Sequence, residues 1–352
     1  MKKSLYVLFA LIFALGVALV PMCAVAQEEE EDAFGNIMHT SYIKIKDVSF
    51  AAPAAGAPCK VTVAGEIVGA EDEEETPTVV SGTITYVIGS DKKSVAMTCA
   101  SNSCSGEIPG APAGTKVAFA VALVDTFGNT TMTGLPVASA DKAADSLVEA
   151  KADMDNSPDI VPDNMDILGT SAAFDAERLY VSYKVAGKVD GGTIDPPYIQ
   201  LYGIKVSNPD IEQNEGLMVG KLWINLPLAT DKAVQDKFMP LLTQAKEFTD
   251  KINKDDFQNV LNTGMLVLDI GKLMGGNIME GLLFSAKAQG KTDGGTFVGS
   301  ILRSALGDNP SGFARVIVLT AANASIDSFM PIPLNCSHYM QVVFKNYDYT
   351  VK

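Results

Sequence analysis

Tryptophan and histidine are nearly missing from this chain: its 352 residues include one Trp, Trp223, and two His, His39 and His338. Two imidazoles and no C-x2-C pair argue against a zinc site, which draws its ligands from Cys and His clusters. The absence of C-x-x-C-H excludes covalently attached c-type haem. Hydrolase and nucleotide signatures are missing as well, since no G-x-S-x-G, H-E-x-x-H or G-x-x-x-x-G-K-[ST] occurs. Gly271, Gly275 and Gly276 cluster, yet no βαβ frame surrounds them to make a dinucleotide fingerprint. Basic residues are also short, with 27 Lys and Arg against 42 Asp and Glu, giving a formal net charge of −15. Such a surface repels nucleic acid and anionic lipid. Carboxylates in this number guarantee chance pairs, so their abundance is no argument for a glycosidase. The inventory offers no support for catalysis, and the expectation is a non-enzyme.

What is present begins with an export signal. Lys2 and Lys3 form a basic start, Leu5 to Val20 is an uncharged apolar run, and Ala24-Val25-Ala26 supplies the small residues of a cleavage site. An uncleaved anchor is the alternative, because the apolar stretch extended through Ala26 approaches the roughly 20 residues that span a bilayer. Pro21 and the small-residue ending favour removal. Cys23 lacks a small residue immediately ahead of it, which argues against lipid attachment. Removing residues 1–26 leaves about 326 and takes away only two lysines, moving the formal net charge from −15 to about −17. The expected destination is the periplasm, the cell surface or the medium of a bacterium, with no integral membrane span after cleavage.

Acidity concentrates in Glu28 to Asp32 and in Glu71-Asp72-Glu73-Glu74-Glu75. Such runs repel themselves and belong in solvated tails or loop tips. Neither has the alternating oxygen spacing of a calcium loop. Four cysteines follow the leader: Cys59, Cys99, Cys104 and Cys336. An even count in an oxidising compartment favours disulfides. Cys99 and Cys104 enclose the turn-rich Ala100-Ser101-Asn102-Ser103, so the two arms of one hairpin would bring them within bridging distance. Cys59 and Cys336 either remain thiols or pair with each other across the chain.

Between residues 42 and 136 the chain reads as short strands separated by turns. Val61 and Val63 alternate with polar residues, as do Ile84, Tyr86 and Ile88, and then Val117, Phe119, Val121 and Leu123. A period of two fits strands with one buried face, and strands every ten residues or so, with Pro and Gly between them, indicate a sandwich. An acidic tail (27–41) precedes this stretch. A segment poor in large apolar residues (137–158) follows it and reads as a linker. Residues 159–352 resume the strand pattern at Ile167, Arg178 to Val189, Tyr198 to Val206, Leu217 to Leu226, Phe313 to Thr320 and Tyr339 to Val351. Lys291-Thr292-Asp293-Gly294-Gly295 marks a hairpin between Gly281 to Gln289 and Thr296 to Arg303. Interrupting them, Val234, Phe238, Leu241, Leu242, Ala245, Phe248 and Ile252 recur at helical spacing, which predicts a helical insertion at about 230–263. Its apolar stripe fits docking on a sheet, with a lid, a lipid contact or a partner helix as the alternatives, and its mixed charge argues against an anionic membrane surface. The fold class expected is mainly β, two β-sandwich domains in tandem.

Two stretches carry family resemblances. Ile108-Pro109-Gly110-Ala111-Pro112-Ala113-Gly114-Thr115-Lys116-Val117, followed by Asp125-Thr126-Phe127-Gly128-Asn129-Thr130-Thr131, resembles the last two strands of immunoglobulin-like or fibronectin type III-like modules in exported bacterial proteins. Asp159 to Ile167, Asp175 to Val181 and Ile301 to Gly307 resemble DOMON-like domains, including the family 9 carbohydrate-binding modules. The second resemblance implies an exported β-sandwich that binds a sugar or haem, often beside a structural calcium.

Candidate site residues follow from those chemistries. Sugar binding needs exposed aromatic rings, which nominates Trp223, Tyr198 and Tyr202, although Trp223 between Leu222 and Ile224 reads equally as core. Haem ligation nominates His338, near Met340, with Met218, Met274 and Met279 as further sulfur donors; a surface imidazole is the alternative. Asp153, Asp155 and Asp159 are calcium candidates, although Pro158 stands where an EF-hand needs Gly, so a solvated linker is the alternative. The sequence thus leads to an exported, non-catalytic envelope or extracellular protein that binds a ligand, carbohydrate first among the classes. The alternatives are a haem-binding redox protein and a structural surface component that contacts another envelope protein.

Overall fold

The computed structural model describes residues 41–69, 76–150, 161–189, 199–210, 217–225, 266–268, 278–283, 288–323 and 332–352. The expected leader, the expected acidic tail up to residue 40 and the expected helical insertion lie outside them. The described chain is mainly β, with sandwich-like layers.

Seven strands come first: β1 (Tyr42–Phe50), β2 (Cys59–Val68), β3 (Val79–Ile88), β4 (Asp91–Ala100), β5 (Ser103–Ile108), β6 (Lys116–Asp125) and β7 (Thr130–Gly134). They pair in the order β1-β2-β5-β4-β3-β6-β7. Strand β4 belongs to two layers, because Asp91 to Met97 pair with β3 while Thr98 to Ala100 pair with β5. The layers enclose a first core of Ile43, Val61, Val63, Ile84, Ile108, Val117, Phe119, Val121 and Leu123.

Within 137–158, residues Ala140–Ser146 form a 3-10 turn and Val148–Ala150 form β8. Val148 is buried, and the Ser146 hydroxyl donates to the Pro136 carbonyl at 2.8 Å. Strands β9 (Ile167–Phe174), β10 (Arg178–Val185), β15 (Ala288–Asp293) and β16 (Thr296–Leu302) complete a five-stranded sheet in the order β15-β16-β10-β9-β8. The β15–β16 turn is tighter than the sequence suggests: Asp293 pairs with Thr296, leaving only Gly294 and Gly295 to reverse the chain. Gly294 has φ +55°, the left-handed conformation such a two-residue turn requires.

The remaining strands are β11 (Ile199–Ser207), β12 (Leu217–Asn225), β13 (Leu266–Leu268), β14 (Ile278–Leu283), β17 (Phe313–Asn323), β18 (Ile332–Cys336) and β19 (Met340–Thr350). They extend the large sheet from β7 through β19, β17, β11, β12 and β14 to β13, with β18 on β17. Between this sheet and the five-stranded one lies a second core of Phe174, Leu179, Val181, Tyr183, Tyr202, Ile204, Phe297, Val316 and Val318.

Several strands are buried on both faces, where period-two reading anticipates one. In β6 the large residues enter the first core, while Ala120 and Ala122 enter the second. Short side chains let the next layer approach closely. In β11 and β17, Leu201, Ile317, Leu319 and Ala321 are at most 2% exposed on the face turned away from the second core. Near-continuous apolar runs are what such strands need.

Strand β19 joins the two cores. Its first part pairs antiparallel with β17 (Met340 to Val343) and parallel with β7, and its last part pairs antiparallel with β6 (Tyr347 to Thr350). Tyr349 and Val351 are the members of the first core that come from beyond residue 123. The Phe119 and Tyr347 rings stack at 5.5 Å between centroids, and the Phe50 ring meets both edge-on. Val351 exchanges backbone hydrogen bonds with Thr115 and Gly114, and the Lys352 N–H reaches the Pro53 carbonyl. Tyr349→Ala should therefore lower stability by about 3–5 kcal/mol, the usual cost of deleting a buried aromatic side chain. Exposed Asp348→Ala should change it by less than about 1 kcal/mol. Urea unfolding of both variants checks this, and equal midpoints would show that the last strand does not hold the first core.

Candidate functional site

Among the described residues, two groups of buried polar side chains form connected networks. The first lies where the start of β1, the β6–β7 turn and the start of β19 meet. Asp125 ends β6 and is 2% exposed. Its Oδ1 accepts the N–H groups of Phe127 (3.0 Å) and Asn129 (2.9 Å), the local capture by which an Asp closes a turn. Its Oδ2 is buried with no hydrogen-bond partner of good geometry among the described residues. Burial pushes this carboxyl up to about 6, against the pull of the N–H groups of Asn129, Phe127 and Ile43.

Asn129 carries the connection outward, its Nδ2 donating to the Ser41 carbonyl and its Oδ1 accepting the Tyr339 N–H, both at 3.2 Å. The Thr131 hydroxyl donates to the Ile43 carbonyl, with Gln341 Oε1 3.3 Å away. Beside them the Arg315 guanidinium lies between the rings of Tyr42 and Tyr339, 5.1 Å from each centroid. A flat cation between two ring faces is a favourable electrostatic contact. These contacts fasten β1 to the rest of the molecule.

The second group sits inside the second core. Tyr202, Thr320 and Asn335 fall on one row across β11, β17 and β18, since Tyr202 pairs with Thr320 and Thr320 with Asn335. The turn at Pro162 to Asp166 lies over that row. The Tyr202 hydroxyl donates to the Asn164 carbonyl (2.9 Å), the Thr320 hydroxyl to the Met165 carbonyl (2.6 Å), and Asn335 Nδ2 to Asp166 Oδ1 (3.2 Å). Asn164 Nδ2 donates to Gln200 Oε1 at 3.2 Å. Asn335 Oδ1 and the Tyr183 hydroxyl are buried without hydrogen-bond partners among the described residues. Complete burial pushes the Tyr183 phenol well above its ordinary range, with the Tyr202 hydroxyl as its electrostatic neighbour.

The residues nominated by sequence fall differently. Tyr202 is fully buried, so its ring offers no face to a sugar; it belongs to the site through its hydroxyl. An aromatic on a strand identifies its face only when its neighbours alternate in polarity, and those of Tyr202 do not. Trp223 stands on β12 opposite Gln200. Tyr198, Asp153, Asp155 and Asp159 lie outside the described residues. The imidazole of His338 lies against Gly128, whose φ of +81° and lack of a Cβ make room for it: a Cβ there would sit 2.6 Å from the ring. Met340, its sequence neighbour, points into the second core. His338 thus packs on the β6–β7 turn, and Met340 in the second core.

Cys99 and Cys104 form the expected disulfide, as directly paired residues of β4 and β5. Cys59 and Cys336 are both buried, and neither forms a disulfide. Burial pushes the Cys59 thiol up, and its Sγ lies 3.4 Å from the Ala51 carbonyl. Sequence reasoning missed Asp125, Asn129, Asn164, Gln200, Thr320 and Asn335. Only Asp125 and Asn129 carried a usable signal, as part of the run Asp125 to Thr131 that bears the immunoglobulin-like resemblance.

Comparison with known proteins adds little to this geometry. No protein-family pattern matches the chain, and no curated protein does. Among solved structures, the chain is similar to a cycloalternan-degrading enzyme from Trueperella pyogenes at 9% identity and a TM-score of 0.18, over 71% of this chain and 32% of that one. It is also similar to a protein described as membrane-anchored from Corynebacterium diphtheriae, at 10% identity and a TM-score of 0.18, over 85% of this chain and 58% of that one. The chain thus spans about a third of the enzyme's length. Likenesses of this size transfer no function. Among the described residues, no helix is long and apolar enough to cross a membrane.

The Asp125 carboxyl gives the first group a pH signature. Its pKa is raised from 3.8 to about 6 in the fold, so the stability it contributes is fully present below about pH 4 and lost as pH rises through 6. That loss is on the order of 2–3 kcal/mol. Asp125→Asn keeps an acceptor for the two turn N–H groups and should flatten this part of the profile. Denaturation at pH 4, 5, 6 and 7 checks it, and parallel profiles for the two proteins would remove Asp125 as the source.

Proposed function

We propose that this chain is an exported, non-catalytic component of a bacterial envelope or exterior that acts through protein contacts. The observation that carries the reading is the sharing of β19 between the two cores. A strand fixed in one core and completing another makes a single body suited to holding a fixed spacing between neighbours. The disulfide fits an oxidising compartment, and the mature net charge of about −17 fits a molecule that stays dispersed until it meets a matched surface. Within this reading the immunoglobulin-like and DOMON-like resemblances describe architecture. Cross-linking in intact cells, followed by isolation of the tagged chain, is expected to recover it in species larger than the monomer. Monomer alone at every cross-linker length would overturn the reading.

A specific observation favours a second reading, the binding of a polyhydroxylated ligand such as a carbohydrate. Tyr183 Oη, an electrostatic neighbour of Tyr202, and Asn335 Oδ1, on the same row as Tyr202, are buried polar atoms without hydrogen-bond partners among the described residues, and an unpaired buried group costs about 1–3 kcal/mol until something hydrogen-bonds it. Hydroxyl groups can donate to the one and accept from the other. Thermal-shift titration against mono- and oligosaccharides is expected to raise the melting temperature of the wild-type chain and not of Tyr183→Phe. No shift with any sugar would remove this reading.

A further inference from the structure

Thr131 and Gln341 face each other across the parallel pairing of β7 with β19. Their neighbours Met132, Met340 and Val342 turn into the second core, so Thr131 and Gln341 share the opposite face, under the start of β1. Thr131 is 2% exposed and Gln341 1%, which leaves the pair dry. The Thr131 Oγ1 lies 3.3 Å from Gln341 Oε1, so the carboxamide carbon is at most one C–O bond further away. A buried carboxamide ordinarily gives both of its polar atoms partners. Here Nε2 is buried without a hydrogen-bond partner among the described residues. Turning the carboxamide over exchanges its oxygen and nitrogen and still leaves one of them unpaired, while the carbon keeps its distance from the hydroxyl. A hydroxyl nucleophile thus stands against an acyl carbon, with a carboxylate close by. Leu123 pairs with Thr131, which sets Asp125 two residues along β6 on the same face. Both side chains reach Ile43 of β1, since the Asp125 carboxyl accepts its N–H and the Thr131 hydroxyl donates to its carbonyl. The N–H and C=O of one extended residue point to the same side of its strand, so the carboxyl and the hydroxyl are neighbours. Asp125 Oδ2 is buried and has no hydrogen-bond partner among the described residues.

We propose that Thr131 and Gln341 join in an intramolecular ester between Oγ1 and the side-chain carbonyl carbon, with loss of ammonia. The Thr131 proton passes to the Asp125 carboxylate as Oγ1 adds to the carbon. The bond from that carbon to Nε2 then breaks, and the same proton leaves with the nitrogen as ammonia. Nothing is oxidised or reduced, and no co-reactant enters. Three conditions favour this direction. A hydroxyl and an acyl carbon held in contact react at an effective concentration far above any reached in solution. Ammonia escapes to the solvent, and burial then keeps water from the ester. A carboxyl raised to about 6 is also a stronger proton acceptor than an ordinary carboxylate. Arg315 pairs with Gln341 on the other side, so a cation shares the row on which the carbonyl oxygen gains negative charge. The product fixes β19 to β7 just ahead of the stretch by which β19 completes the first core. It is independent of any partner or ligand that the protein meets.

Peptide mapping of the full-length exported chain by mass spectrometry tests the bond. Trypsin places Thr131 in the peptide 117–142 and Gln341 in the peptide 316–345. The expected result is one branched species that contains both, lighter than their sum by one ammonia, with fragmentation assigning the branch to Thr131 and Gln341. Thr131→Val, which has no hydroxyl, is expected to give the two linear peptides instead. Location decides, not the mass of the whole chain, because cleavage after Ala26 exposes Gln27, whose own cyclisation also releases ammonia. Asp125→Asn, shown to be folded by a cooperative melting transition, is expected to give the linear peptides as well. Linear peptides alone from the wild-type chain overturn the ester. Full branching in Asp125→Asn overturns the assignment of Asp125 as the proton acceptor.

Discussion

The antiparallel ladder between Tyr347–Thr350 and Lys116–Phe119 is the constraint on which the two cores depend. Strand β6 is covered on one face by the first core and on the other by the second, so its backbone groups have no water to turn to. Unpaired peptide groups in such a position cost about 1–3 kcal/mol each, and β7 satisfies only the far end of the strand. The C-terminal residues supply the missing partners and, with them, the aromatic rings that close the first core. Because the same strand is fixed to β17 a few residues earlier, neither core can shift without the other. The first core also remains incomplete until the last residues of the chain arrive, a contact of very high sequence separation and hence a late, slow one to form.

Polar residues repeat the theme with different atoms. Ladder hydrogen bonds stop where β1 begins, and the chain continues the attachment with Asn129 and Thr131, whose side chains take the places of backbone groups against Ser41 and Ile43. The Arg315 guanidinium, held between two rings, adds a cation where β17 passes the same corner. Neutral amides and hydroxyls dominate both buried groups. That choice avoids the desolvation cost of ion pairs, which weakens their net contribution in an interior. Asp125 is a fully buried carboxyl among them, and its pKa is raised because burial outweighs the N–H groups that hold its anion.

How much of this could be read from the sequence depended on whether the cause was local. The hairpin disulfide was legible because Cys99 and Cys104 flank a turn and the pairing distance follows from that alone. The β character of both halves was legible from alternation, and the Asp293-Gly294-Gly295 turn from its residue types. In β6, alternation gave the first core and hid the second, since Ala120 and Ala122 look like the polar face of a half-exposed strand until a layer is seen against them. Tyr202 was assigned to a binding surface from its residue type, yet its face is set by register with Thr320 and Asn335, strands more than a hundred residues away. The double duty of β19 left no trace at all, because Tyr347, Tyr349 and Val351 read as an ordinary edge strand. Nothing local says that their partner lies 230 residues earlier.

Two strands in this chain change partners along their length, and the chain secures each by a different means. In β4 the change falls between Met97 and Thr98, where the strand leaves β3 and joins β5 for only three pairs. Three pairs are a weak hold. The Cys99–Cys104 bridge lies within them, and closing so short a loop stabilises by about 2 kcal/mol on the chain-entropy account. In β19 the change from β7 to β6 falls between Asn346 and Tyr347, and no covalent bond follows it. The hold comes from burying Tyr349 and Val351, each worth roughly 1.5–3 kcal/mol in apolar transfer. The covalent clamp fixes a local crossover permanently, whereas the apolar one holds only as long as Tyr349 and Val351 stay buried in the first core.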